Sequence, residues 1–159
     1  MADTTSFPTA VSTNTANAAN WFADNGSSNT NPTCGTYWAC EPDITLSSFS
    51  SLSIPAGATI DGIEIIVEGS ANIATANKPD FFVYNGSSWS SAKAANMSMA
   101  KRLVLYDPGW GASNDLWGLA WDATTAAAIQ IKLDSSTIDD GSGKRMFTDF
   151  FAVRITYTR

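Results

Sequence analysis

Histidine is missing from all 159 residues. A Ser-His-Asp or Cys-His catalytic arrangement therefore cannot be built, because neither nucleophile would have its imidazole base. Charge is scarce as well: Asp, Glu, Lys and Arg make up 15% of the chain, against about 25% in a typical soluble domain. The nine Lys and Arg are scattered over a chain of net charge −6. They offer no basic stripe to a phosphate backbone, which argues against nucleic acid as a partner. No apolar run approaches the ~18 residues of a spanning helix and no basic amphipathic helix is present, so no membrane partner is expected. The opening MADTTSFPTAVSTNT has neither the positive n-region nor the apolar h-region of a secretory signal, which predicts synthesis in a cytoplasm.

Cysteine is limited to Cys34 and Cys40, in CGTYWAC. Paired, they would close a short loop worth roughly 2 kcal/mol in the chain-entropy model; two free thiols are the other reading. Without histidine, two thiols complete a four-ligand zinc site only through carboxylates or another chain. No metal or cofactor is expected.

What the chain does have is the texture of short strands. In SIPAGATIDGIEIIVEGS (residues 53–70), Ile60, Ile63, Ile65 and Val67 are the core side of a strand, with Glu64 and Glu68 on a face that reads as solvated. Phe147 to Arg159 alternates in the same way, placing Phe151, Val153, Ile155 and Tyr157 on one face and Ala152, Arg154, Thr156 and Thr158 on the other. Pairing this strand within a sheet would tie down the end of the chain.

Between these two segments, Asp80–Tyr84, Asn85-Gly86 and Ser87–Ser90 read as a hairpin closed by a dipeptide suited to a type I′ turn. Arg102–Tyr106 reads as a strand, Asp107-Pro108-Gly109 as a turn, Thr124–Ala128 as a single helical turn, and Ile129–Leu133 as another alternating strand. Residues 1–33, rich in Thr, Asn, Ser and Ala, read as a loop-rich N-terminal arm, and 34–159 as one β-sandwich domain. Many short strands without a sustained 3.6-residue period predict an all-β protein: an antiparallel β-sandwich of jelly-roll type.

Three stretches, SIPAGATIDGIEIIVEGSA, DLWGLAWDATTAAAIQIKL and the closing FFAVRITYT, together resemble domains of tailed-bacteriophage structural proteins. Those domains carry an "sIPxGAtIdGIeV" strand, a "DLWGLxW" step and a final alternating strand. Trp21 and Asp24-Asn25-Gly26 resemble the opening of the same family, so the likeness spans roughly residues 20–158. It implies a virion protein with a β-sandwich fold. Its motifs describe folding devices and carry no chemistry.

Other clusters read blandly. Asp134, Asp139 and Asp140 share a polar loop that lacks the ligand spacing of a calcium loop and reads as a solvated turn. Glu64 and Glu68 lack the apolar pocket that raises a catalytic carboxyl's pKa, so no enzyme is expected. Six tryptophans are unusual. Trp89, near a hairpin tip, and Trp110, in the PGWG turn, are the expected exposed aromatics for a partner or glycan, whereas Trp21, Trp38, Trp117 and Trp121 read as packing. The expectation that follows is a capsid decoration or cement protein that clamps neighbouring major capsid subunits. It would be a homo-oligomer, with a trimer as the working guess, made in the host cytoplasm and assembled onto the virion. A tail or appendage module gripping host polysaccharide through exposed aromatics is the alternative.

Overall fold

The computed structural model describes residues 1–7, 10–11, 29–31, 44–49, 52–71, 80–94, 104–134 and 146–159. Its elements in chain order are β1 (Ala2–Ser6), β2 (Ala10–Val11), β3 (Asn29–Asn31), β4 (Ile44–Ser47), β5 (Thr59–Ala71), β6 (Asp80–Tyr84), β7 (Lys93–Ala94), β8 (Val104–Ala112), α1 (Ala123–Ala127), β9 (Gln130–Asp134) and β10 (Met146–Thr158). They form two five-stranded antiparallel sheets. The first runs β1-β10-β5-β8, with β3 beside the start of β10; the second runs β2-β4-β9-β6-β7. The all-β sandwich expected from the alternating strands is what the chain forms.

Four of the strand pairings are nested along the chain: β1 with β10, β4 with β9, β5 with β8, and β6 with β7. Such nesting arises when one long hairpin is rolled so that its two ends lie together in one sheet. The C-terminal strand is accordingly interior, held by β5 on one side and by β1 on the other. β1 lies in the segment expected to be arm. The β-branched Thr4 and Thr5 suit an extended edge strand, and they pair with Ile155 and Arg154.

Alternation places the core as read from the sequence. Ile60, Ile63, Ile65, Val67, Phe151, Val153, Ile155 and Tyr157 are all buried between the sheets, against Ile44, Leu46, Phe81, Val83, Ile131 and Leu133 from the opposite layer. Each such side chain contributes about 1.5–3 kcal/mol on burial.

The reverse face of β5 and β10 departs from the expected pattern. Ile66, Phe150 and Ala152 are buried there in a second cluster, and the Phe7 ring meets Phe150 edge-on at 5.5 Å. This face is therefore not a simple solvated one. Glu64, expected in water, is only 5% exposed.

Asp107-Pro108-Gly109 does not end a strand. β8 runs through it, with Tyr106 opposite Val67 and Trp110 opposite Ile65, and the three residues bulge out of the ladder with a cis Asp107–Pro108 peptide. A bulge tolerates proline because the ladder there needs no N–H. Four β8 steps match two on β5, so Tyr106 and Trp110 return to the inward side. The hairpin after β6 also differs in detail. Among Asn85, Gly86 and Ser87 only Gly86 takes a positive φ, +91°, which is the sign pattern of a type II′ turn centred on Gly86-Ser87. Asn85 instead braces the turn, its Oδ1 accepting from the backbone N–H groups of Ser87 and Ser88.

Candidate functional site

The two sequence motifs meet in space. Backbone N–H of Ile63 donates to the carbonyl of Asp115 at 2.9 Å, and the Trp117 indole N–H donates to the carbonyl of Ile63 at 2.9 Å. Trp117 sits at φ +57°, a left-handed conformation costing of order 1–3 kcal/mol for a bulky residue. Local contacts hold it there: Asp115 Oδ1 accepts from its backbone N–H, and the Lys93 ammonium, paired with Asp115 at 2.8 Å, lies 5.1 Å from the centre of its ring. Gly111 passes so close that a Cβ would overlap the Ile63 carbonyl oxygen and lie 2.8 Å from Trp117 Nε1; a Cβ on Gly62 would overlap the Ser113 carbonyl. This knot fastens the chain after β8 across β5. Its polar groups are spent on one another.

A second polar cluster lies on the outer face of the first sheet, beside a shallow cleft of about 390 Å³ lined by Asp3, Glu64, Ser113, Arg154 and Thr156, among others. The Arg154 guanidinium reaches both carboxylates here. Nη2 donates to Asp107 Oδ1, and Nη1 lies 3.6 Å from Glu64 Oε2. Burial pushes the Glu64 carboxyl above its ordinary range and outweighs the opposing pull of Arg154; Asp107 and Asp3 add to the rise. The space between the two carboxylates is filled by a guanidinium, where a glycosidase would need a sugar ring or a water.

The raised pKa has a definite sign. Folding favours protonated Glu64, so its contribution to stability is fully present below the ordinary value of 4.5 and is lost as pH rises through the folded-state value. Glu64→Gln fixes the neutral form. Its urea midpoint relative to wild type is expected to be higher at about pH 7 than at about pH 4; a difference independent of pH contradicts the assignment.

The third cluster is aromatic. Trp89 is 39% exposed, as expected of a residue near the hairpin tip, and its ring lies 5.0 Å from that of Tyr84. Trp110 is only 3% exposed, which corrects its reading as a surface ring. The bulge turns it inward, where its ring packs at a tilt against Phe81, the centres 4.4 Å apart. Trp117 is buried and Trp121 partly so, its indole donating to the Leu116 carbonyl. Trp21, Trp38, Cys34 and Cys40 lie outside the described residues, as do Asp139 and Asp140. Among the described residues no group of three or more acidic or thiol side chains is placed to hold a metal, and no helix is long and apolar enough to cross a membrane.

The outer-sheet cluster, and the partners of Trp89 in the aromatic cluster, were not legible in the sequence because they join residues far apart in the chain. Alternation places Arg154 on the outer face, but its meeting with Asp107 has no local signal. Phe82 and Lys132 have one: each is the outward position of an alternating strand, although their pairing needs the strand order. Comparison of the chain with family models, with curated proteins and with solved structures finds no match.

Proposed function

We propose that the chain is a structural protein of a tailed-phage particle, of the decoration or cement type. It would clamp neighbouring major capsid subunits as a small homo-oligomer. One observation carries the reading: the residues of its two phage-like motifs, Gly62-Ile63 and Asp115–Gly118, come together in a single knot that serves folding. We take this as support, since the resemblance implies folding devices at these two stretches.

The nested strand pairings support the same proposal: we read them as jelly-roll-like, and jelly rolls are an architecture that viral capsid domains use. A surface poor in charge and rich in Ser, Thr, Asn and Ala loses little side-chain entropy when buried against a shell. A closed ring, with a trimer as the working assignment, gives each copy equivalent contacts. No catalytic role is included: Glu64, the buried carboxylate beside the cleft, is engaged by Arg154, which also holds Asp107.

Particles lacking the protein are expected to release their genome at a lower temperature and under milder osmotic shock than complete particles, and purified protein added back should restore both. Unchanged resistance removes the proposal.

A further inference from the structure

The outward positions of β6 and β9 form a strip unlike the rest of the second sheet. Register sets Tyr84 beside Gln130 and Phe82 beside Lys132. Trp89, brought back alongside Tyr84 by the hairpin, extends the strip at its end. The Lys132 ammonium lies 4.2 Å from the centre of the Phe82 ring and 5.6 Å from that of Trp89, so one cation spans two rings.

Hydrogen bonds brace the hairpin. Asn85 is tied to Ser87 and Ser88, and its amide donates to the Ala120 carbonyl at 3.0 Å. Trp89 is therefore held in place before any ligand arrives, which lowers the ordering cost of binding.

We propose that this strip is a binding site for a neutral polysaccharide. A pyranose ring has an apolar C–H face and a rim of hydroxyls. The strip answers both, with the exposed Trp89 ring and the partly exposed Tyr84 ring as the apolar surface, and the Gln130 amide and the Lys132 ammonium over Phe82 as polar groups for the hydroxyls.

Charge selects against an acidic polymer. The chain carries net charge −6, and Asp80 lies opposite Asp134 at the far end of the same two strands. Size selects against a protein. One exposed and two partly exposed rings on strands about 4.8 Å apart make a shelf for one or two sugar units, well below the ~800 Å² per partner of a stable protein interface. The site goes beyond the shell role and does not depend on it.

Affinity electrophoresis of the purified protein tests this, in native gels cast with a soluble β-glucan, xylan, mannan or galactan, and with alginate as the acidic comparison. Retardation is expected in at least one neutral gel. Trp89→Ala should weaken it by at least about tenfold, and Trp89→Phe, which keeps a ring face, should retain a part. Leu105→Ala, an exposed change on the other sheet, should leave it intact. Thermal unfolding of each variant checks that the fold is kept. Absence of retardation in every neutral gel, retardation undiminished by Trp89→Ala, or retardation in alginate alone would overturn the proposal.

Discussion

Gly111→Ala is expected to cost about 2–6 kcal/mol, from about 1–3 for the left-handed conformation and a similar amount for overpacking. Gly111 sits at φ +80°, and its new Cβ would overlap the Ile63 carbonyl oxygen and press on the Trp117 indole, so β5, β8 and the turn carrying Trp117 cannot all keep their places. Total stabilities of domains run about 5–15 kcal/mol, so the variant should be recovered poorly or with a sharply lower urea midpoint. Gly118→Ala is the control. It lies in the same motif at φ +70° with nothing within 4 Å of the added carbon, so it should show the conformational penalty alone. Equal losses in the two variants would mean that the knot does not fasten the sandwich.

Trp110→Ala should destabilise the protein by about 3–5 kcal/mol, the usual cost of removing a large buried aromatic. Trp110 fills the space between the sheets, with Phe81 at 4.4 Å and Tyr106 at 6.2 Å. Trp89→Ala, by contrast, should change stability by about 0.5 kcal/mol or less, because much of its ring already faces water. Chemical denaturation of the two variants side by side separates a core ring from a surface one. Similar losses in both would contradict the assignment of Trp89 to the outer face.

Where a signal is local, the sequence carried it. Ile63, Ile65 and Val67 alternate with Glu64 and Ile66, and Phe151, Val153, Ile155 and Tyr157 do the same, so period alone assigned their inner face and a sandwich followed. The short helix before β9 was legible too: expected at Thr124–Ala128, it occupies Ala123–Ala127, capped by Asp122.

What failed depended on neighbours. Asp-Pro-Gly carries the chemistry of a turn, yet β5 pairs with β8 on both sides of it and converts it into a bulge, which buried Trp110 and set Asp107 against Arg154. Glu64 has the spacing of a solvated residue, but period reports only which face a side chain takes. It cannot report what covers that face. The aromatic strip was half legible, since Trp89 stood out by its place near a turn. Its partnership with Tyr84, Phe82 and Lys132 needed the β6–β9 register.

The number of copies on a purified particle bears most directly on a clamping role. Quantitative mass spectrometry against the major capsid protein should give copies in the hundreds, in a fixed ratio to the shell subunits, as a symmetric clamp requires. A count of six to a few dozen, set by the symmetry of a tail, or absence from the particle, would contradict it.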